Sequence, residues 1–147
     1  MAFAILALGA NLEAPAEMIA RAIEAIGKHP NVALLERSTT IVTAPWGDTD
    51  QGDFHNAAIA IDTSLAPLQL LDLCLGTEAE MGRVRTRHWG PRVIDIDVIA
   101  YDRAQIETDR LTLPHPYAHK RDFVMVPVRE IAPEVADWLL ERKAPQR

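Results

Sequence analysis

The hydrophobic pattern divides the first hundred residues into alternating strand-like and helix-like segments. Short apolar runs or strict alternation, typical of strands, occur in residues 2–8, 32–42, 54–63 and 93–101. Apolar residues at helical spacing occur in residues 13–28 and 65–81. The predicted order is β-α-β-β-α-β, a ferredoxin-like α+β fold with both helices on one face of the sheet.

The spacing of leucines predicts the buried face of the second helix, and the positions of prolines predict the secondary structure of the C-terminal residues. Leu68, Leu71 and Leu75 lie at helical spacing and predict the buried stripe. Residues 102–147 contain four of the prolines that favour loops, Pro114, Pro116, Pro127 and Pro133. We therefore expect a loop-rich C-terminal extension over the sheet, within a single domain of residues 1–147.

Composition and charge narrow the class of protein. The chain has 147 residues, of which 48% are hydrophobic, and this suits one globular domain with a substantial core. The net charge of −6 argues against nucleic acid and membrane surfaces as partners. The single cysteine, Cys74, cannot form an internal disulfide and is expected to be buried and inert. We expect a cytoplasmic protein, and a monomer because nothing in the pattern indicates an obligate assembly.

Basic residues are concentrated in one segment. No Lys or Arg occurs in residues 38–82, which carry seven Asp or Glu, and four arginines then follow within ten residues. They are Arg83, Arg85, Arg87 and Arg92. Such clustering in an acidic chain indicates a binding site for a compact polyanion, because guanidinium groups pair with phosphate oxygens.

Two aspartates follow the arginines in a strand-like segment. Asp95 and Asp97 alternate with Ile94, Ile96 and Val98, so the carboxylates share one side of the strand, about 7 Å apart along the chain. Taken alone, this pattern is also typical of a strand with a solvated face. Beside four arginines, the two carboxylates favour a site for nucleotide phosphates and a magnesium ion.

A second candidate site lies in residues 43–56. Trp46 is in a polar loop, and Phe54 and Asn56 share one face of the following strand. A ring suits stacking and an amide suits the edge of a heterocycle. A strand start with a hydrophobic anchor and a turn-forming Asn explains the same residues equally well.

Two common site types are not indicated. The five histidines fit no zinc-ligand spacing, and His115, between two prolines, is expected in a stiff turn. Gly9-Ala10-Asn11 is not followed by the Gly-Lys-Ser/Thr of a P-loop. If ATP binds, it does so on another scaffold.

Taken together, these motifs resemble the 6-hydroxymethyl-7,8-dihydropterin pyrophosphokinase family of folate synthesis. The most specific motif is Trp-Gly-Pro-Arg-x-x-Asp-x-Asp at residues 89–97. Further matches lie in register along nearly the whole chain, at residues 8–12, 43–47, 54–57, 82–85, 111–116, 121–124 and 130–133. The resemblance implies a ferredoxin-like fold and transfer of pyrophosphate from ATP to a reduced pterin, with AMP released.

The resemblance also implies roles for individual residues. The catalytic residues would be Arg83, Arg92, Asp95 and Asp97, with two Mg²⁺ ions held by Asp95 and Asp97. ATP would be bound by Glu78, Arg85, Trp89, Val98, Arg110, Thr112, His115 and Arg121, with Val98 acting through its backbone. The pterin would be bound by Thr43, Ala44, Trp46, Phe54, Asn56 and Phe123.

Three alternatives from other classes compete with the enzyme. A non-catalytic pterin- or nucleotide-binding module would not need all of Arg83, Arg92, Asp95 and Asp97. An RNA-binding ferredoxin-like domain needs exposed aromatic residues and a basic face on the central strands, where this chain carries aspartates. A purely structural domain leaves the arginine–aspartate cluster unexplained. The intact cluster favours the enzyme.

Overall fold

The computed structural model describes residues 1–44, 52–85 and 94–142, and only the backbone of residues 83–85. The strands in these ranges are β1 (Ala2–Ala10), β2 (Val32–Arg37), β3 (Ile41–Thr43), β4 (Phe54–Thr63), β5 (Asp95–Tyr101), β6 (Ile106–Glu107) and β7 (Thr112–Leu113). The α-helices are α1 (Pro15–Gly27), α2 (Pro67–Arg85), α3 (Asp122–Ile131) and α4 (Pro133–Arg142). A 3₁₀ turn at Ala118–Lys120 precedes α3.

The main sheet confirms the predicted fold class. Its strands are antiparallel in the order β2-β4-β1-β5, and the short β3 also pairs with β4. The central strands β1 and β4 are in register along their whole length, with Ala2 opposite Thr63 and Ala10 opposite His55. β6 and β7 form a separate antiparallel pair. This strand order, with a helix after β1 and another after β4, is the ferredoxin-like α+β arrangement.

One face of the sheet packs against α1 and α2, as predicted. Strand side chains alternate between the two faces, and those directed to this face form a continuous core with the helices. The strands contribute Leu6, Leu8, Ile59, Ile61, Ile96 and Val98. From α1, the apolar stripe of Met18, Ile19, Ala22, Ile23 and Ile26 is fully buried.

The opposite face is also covered by helices, and here the structure differs from the expectation of a loop-rich C-terminal extension. Residues 122–142 form α3 and α4, which pack on Ile5, Ala7, Ala58 and Ala60. The prolines that suggested loops are compatible with these helices. Pro133 is the first residue of α4, where its missing N–H is not needed, and Pro127 is buried within α3 on its apolar face. The prediction of helices on one face therefore holds only for α1 and α2.

Two element boundaries also differ from the sequence pattern. The strand predicted at residues 32–42 is two strands, interrupted where the Ser38 hydroxyl accepts a 2.9 Å hydrogen bond from the Ala58 N–H. α2, predicted to end at residue 81, continues to Arg85 and so includes the first two of the four clustered arginines. Residues 86–93 lie outside the described part of the chain.

The predicted leucine stripe of α2 is only partly correct. Leu71 is partly buried against the core, but Leu68 and Leu75 are each 43% exposed. The fully buried side chains are those of Leu70, Cys74, Thr77 and Glu78. These four also share a helical face, but only one of them is strongly hydrophobic, so the pattern of apolar residues favours the wrong stripe. Cys74 is buried, as expected, and burial raises the pKa of its thiol to about 12, with Glu78 and Asp97 adding to the effect. None of the helices described is long and apolar enough to cross a membrane.

Candidate active site

A cavity of about 680 Å³ opens on the α3 side of the sheet. It lies where β1 ends and where β4 and β5 begin, because antiparallel neighbours bring these chain ends together. The start of α3 closes its other wall with Arg121 and Phe123. Eight residues predicted to bind pterin, ATP or metal line this one cavity: Thr43, Ala44, Phe54, Asn56, Asp95, Asp97, Arg121 and Phe123.

Strand register places two of the predicted functions on one row of the sheet. Gly9 of β1 lies opposite Asn56 of β4 on one side and opposite Asp95 of β5 on the other. Neighbouring strands are about 4.8 Å apart, so Asn56 and Asp95 are separated by roughly 10 Å across Gly9. This spacing leaves room for a small substrate between the amide and the carboxylate.

Residue 9 must be a glycine because the Asn56 side chain occupies the space beside it. A Cβ atom built on Gly9 would lie 2.7 Å from Nδ2 of Asn56, closer than side chains approach without displacement. The amide of Asn56 therefore occupies the space that a side chain at residue 9 would fill. Gly9 was not among the predicted site residues, although the abrupt end of the apolar run at this glycine is a sequence signal for it.

Two aromatic rings face the cavity from different elements. Phe54 begins β4, where it lies opposite Thr43 of β3, and Phe123 lies in the first turn of α3. The ring of Phe123 is 41% exposed, and the Arg121 guanidinium lies 5.8 Å from its centroid. The guanidinium is also 5.7 Å from the Tyr117 ring. Cation–π contacts of this kind hold Arg121 at the cavity wall.

Asp95 and Asp97 extend from one side of β5 into the cavity, as the alternation predicted. Ile96 between them is 2% exposed and packs in the core on the other side. Over the described residues, no group of three or more His, Cys, Asp or Glu is arranged to hold a metal ion. Two neighbouring carboxylates suit Mg²⁺, which keeps water molecules and binds substrate phosphates at its remaining positions.

His115 lines a second cavity of about 360 Å³. The backbone N–H of His115 donates a 2.9 Å hydrogen bond to the Ile99 carbonyl. The backbone N–H of Tyr117 donates a 3.2 Å hydrogen bond to Nδ1 of the His115 ring. The latter bond assigns the ring proton to Nε2 in the neutral form. Burial lowers the pKa of His115 below 6.5; the negative charge of Asp97 opposes this shift, and the positive charge of Arg121 adds to it.

Other residues predicted to bind ATP do not line the first cavity. Thr112 of β7 lines the second cavity together with His115. Arg110 is exposed and ion-paired with Asp72 of α2. Val98 is buried in the core, consistent with a backbone role only. Glu78 is buried on α2, where it accepts a 2.6 Å hydrogen bond from the Ile96 N–H.

The remaining predicted residues lie outside the described part of the chain. This applies to Trp46, Trp89 and Arg92. Arg83 and Arg85 are in the last turn of α2, where only the backbone is described. The cavity also has walls that were not predicted, including Ala10, Asn11, Lys120 and Asp122. The sequence feature that could have identified these residues is that each lies within two positions of Gly9 or Arg121.

Comparison with known proteins identifies the family. A sequence model of the 7,8-dihydro-6-hydroxymethylpterin-pyrophosphokinase family matches residues 5–133. The 2-amino-4-hydroxy-6-hydroxymethyldihydropteridine pyrophosphokinase of Methylorubrum extorquens is 53% identical over 92% of this chain and 85% of its own length. The proteins of the same name from Haemophilus influenzae and Bacillus subtilis are 43% and 39% identical, over 92% and 90% of this chain and 84% and 79% of their own lengths.

Solved structures share the fold at much lower sequence identity. A chain described as HPPK-DHPS in complex with substrates superposes with a TM-score of 0.71 at 12% identity, over 90% of this chain and 40% of that chain. Wild-type Plasmodium falciparum HPPK-DHPS gives a TM-score of 0.67 at 15% identity, over 91% of this chain and 40% of that chain. This chain thus spans less than half of those longer chains, and the likeness shows the fold alone. By the sequence match, the chain belongs to the 7,8-dihydro-6-hydroxymethylpterin-pyrophosphokinase family.

Proposed function

We infer that the chain transfers pyrophosphate from ATP to 6-hydroxymethyl-7,8-dihydropterin and releases AMP, a step of folate biosynthesis. Membership of the family and the names of its relatives support this activity. The observation that carries the assignment to this cavity is the shared row of Asn56, Gly9 and Asp95. An amide suited to the edge of a heterocycle and a carboxylate suited to Mg²⁺ lie in this row, which supports a transfer between two substrates bound in this cavity.

The proposed pterin site occupies the end of the cavity formed by β3, β4 and α3. Phe54 and Phe123 lie on different walls, so a flat ring between them stacks on both. The Asn56 amide supplies a donor and an acceptor to the edge of the ring. Backbone groups of Thr43 and Ala44 border the same space, and Trp46 completes the proposed pterin contacts.

The proposed metal site occupies the β5 end. Asp95 and Asp97 would hold two Mg²⁺ ions with oxygen atoms of ATP. Bound there, Mg²⁺ neutralises phosphate charge and orients the phosphates for in-line transfer. We further propose that Arg83 and Arg92 contact the phosphates and stabilise the charge that develops during transfer. Their guanidinium groups have the planar donor arrangement that phosphate oxygens require.

The remaining ATP contacts are proposed along the outer side of β5. Arg121 and His115 lie close to Asp97 and would bind phosphate oxygens, His115 through its Nε2–H. The other proposed contacts with ATP are those of Glu78, Arg85, Trp89, Val98, Arg110 and Thr112. Arg110 would exchange its ion pair with Asp72 for a contact with the nucleotide.

In the proposed reaction, the pterin hydroxyl oxygen forms a bond to the β-phosphorus of ATP. The bond from that phosphorus to the oxygen it shares with the α-phosphorus breaks, and AMP leaves with this oxygen. The hydroxyl proton passes to solvent, and we assign no general base. Rate acceleration then comes from holding the two substrates in line and from stabilising phosphate charge.

We also propose that the protein acts as a cytoplasmic monomer without nucleic-acid or membrane partners. Its net charge of −6 opposes binding to polyanionic surfaces.

The activity is tested by incubating the protein with ATP, Mg²⁺ and 6-hydroxymethyl-7,8-dihydropterin and separating the nucleotides by chromatography. AMP should form only when pterin and metal are both present. Formation of ADP would mean an ordinary kinase. Tight pterin binding by calorimetry without turnover would mean a non-catalytic binding module.

A further inference from the structure

A side chain from α2 holds the edge of the sheet between Asp95 and Asp97. β5 is the last strand in the order, with β1 on one side and no further described strand of the main sheet on the other. On that outer side the Ile96 N–H donates to Oε2 of Glu78, with a nitrogen–oxygen distance of 2.6 Å. Glu78 is 9% exposed, so this hydrogen bond is shielded from water.

The geometry of the strand explains why this bond affects both aspartates. In an antiparallel ladder, consecutive N–H groups point to opposite edges of the strand. Because the Ile96 N–H points outward, those of Asp95 and Asp97 point towards β1, where the residues opposite them are Gly9 and Ala7. The first three residues of β5 are therefore held from both edges, by β1 on one side and by Glu78 on the other.

We propose that Glu78 is a positioning residue for the metal-binding pair, acting through the Ile96 backbone on the direction and separation of the Asp95 and Asp97 carboxylates. This inference rests on the proposed role of those two residues as Mg²⁺ ligands. The Ile96 side chain reinforces the effect, because it is buried on the opposite face of β5. A twist of the strand start would pull that side chain out of the core.

The burial of Glu78 fits a geometric role. A buried carboxylate is destabilising unless hydrogen bonds compensate for its lost hydration, so its presence in a core needs a reason. The hydrogen bond from the Ile96 N–H supplies part of this compensation.

Three substitutions separate the hydrogen bond from charge and volume. Glu78→Gln keeps an acceptor oxygen without the charge, and Glu78→Met keeps similar length without a strong acceptor. Glu78→Ala is a second acceptor-free variant, should the Met side chain disturb the core. Glu80→Ala is the matched control, because it removes an exposed carboxylate two residues further along the same helix.

The direct readout is hydrogen exchange of the Ile96 amide, measured by NMR on the metal-free protein. Glu78→Met should speed this exchange by about 10-fold or more, since a buried hydrogen bond is lost. Amides of Leu6 and Ile59 on the interior strands should be unaffected. Glu78→Gln and Glu80→Ala should exchange like the wild type. Unchanged Ile96 exchange in both acceptor-free variants would overturn the proposal.

The functional readout is the Mg²⁺ concentration that half-saturates binding of α,β-methylene-ATP, a non-transferable analogue. Groups that orient metal ligands typically change metal affinity about 10- to 100-fold when removed. We expect a rise of that size in Glu78→Met and little change in Glu78→Gln, with the KM for pterin unaltered in both. A loss of analogue affinity at saturating Mg²⁺, with Mg²⁺ dependence unchanged, would leave Glu78 only its proposed contact with ATP and would overturn the positioning role.

Asp97→Ala distinguishes failure of this inference from failure of the metal site. If Asp97→Ala keeps the wild-type Mg²⁺ dependence, the metal assignment is wrong and the positioning role is overturned with it. If Asp97→Ala loses Mg²⁺ binding but Glu78→Met does not, the metal site stands and only the role of Glu78 is wrong.

Discussion

The two ends of the cavity rest on strands with different support. The end proposed to bind the pterin, here called the pterin end, is carried by β4, an interior strand that pairs with β1 on one side and with β2 and β3 on the other. The end proposed to bind Mg²⁺, here called the metal end, is carried by β5, which has a strand partner only in β1 within the described sheet. Phe54 and Asn56 lie on a strand with strand partners on both sides, whereas Asp95 and Asp97 have a strand partner on one side and the Glu78 side chain at the other edge. On this proposal, a strand at the edge of a sheet can keep two metal ligands at a fixed direction and separation when a buried side chain hydrogen-bonds its outer edge.

The largest expected effect comes from breaking the metal end. Asp97→Ala removes one of two carboxylates that would hold Mg²⁺, so turnover should fall by several orders of magnitude, as it does when phosphate charge is left unneutralised. Pterin affinity, measured by calorimetry, should change little because Phe54, Asn56 and Phe123 belong to other elements.

Asp62→Ala provides the matched control for that substitution. Asp62 lies on β4, is partly buried like Asp97, and points to the same face at the opposite end of the sheet. The Asp62→Ala variant should retain wild-type turnover. Near-normal turnover in folded Asp97→Ala would show that the β5 end does not hold the catalytic metal.

A smaller effect is expected from disturbing the pterin end. Gly9→Ala would place a Cβ atom 2.7 Å from the Asn56 amide nitrogen and push that side chain out of position. Loss of one hydrogen bond to the pterin corresponds to about 1 kcal/mol, so the KM for pterin should rise about 5- to 10-fold. The Mg²⁺ concentration for half-maximal rate should stay unchanged.

Gly76→Ala is the control for a methyl group added at a glycine. Gly76 lies in α2 with no atom within 4 Å of an added Cβ, so this variant should be stabilised by up to about 1 kcal/mol with normal kinetics. An unchanged KM for pterin in Gly9→Ala would contradict the inference that the absence of a side chain at residue 9 allows Asn56 to bind the pterin.

The smallest effect concerns His115, which follows β7 and lines the second cavity. Burial lowers the folded-state pKa of His115 below its unfolded value, so the unfolded chain binds more protons and low pH favours unfolding. This contribution to stability is fully present above about pH 6.5 and is lost as the pH falls below it. In urea titrations of metal-free protein, the drop in unfolding free energy between pH 7.5 and 5.5 should be smaller for His115→Gln than for the wild type. An equal drop would show that His115 does not titrate differently on folding.

The local pattern of apolar and polar residues correctly predicted the strands that are buried on one face or on both. β4 was predicted at its observed bounds, and the alternation of β5 correctly placed Ile96 and Val98 in the core. α3 and α4 escaped prediction because Pro127 and Pro133 are loop signals, and only contact with the sheet shows that they are tolerated. The buried stripe of α2 was mispredicted because Cys74, Thr77 and Glu78 score poorly as core residues, and tertiary packing decided between two possible faces.

Part of the candidate site could be predicted because it depends on neighbours in sequence. Asp95 with Asp97, and Phe54 with Asn56, each share a strand face, and the structure places all four in one cavity. The contacts of Gly9 with Asn56 and of Glu78 with Ile96 join residues far apart in the chain. They depend on strand register and helix packing, which no local pattern specifies.

The most direct test of the account is a crystal structure with α,β-methylene-ATP, Mg²⁺ and 6-hydroxymethyl-7,8-dihydropterin. We predict the pterin between Phe54 and Phe123, Mg²⁺ on Asp95 and Asp97, and the pterin hydroxyl about 3–3.5 Å from the β-phosphorus, in line with the leaving group. A pterin bound in the second cavity beside Thr112, or metal ions away from β5, would contradict it.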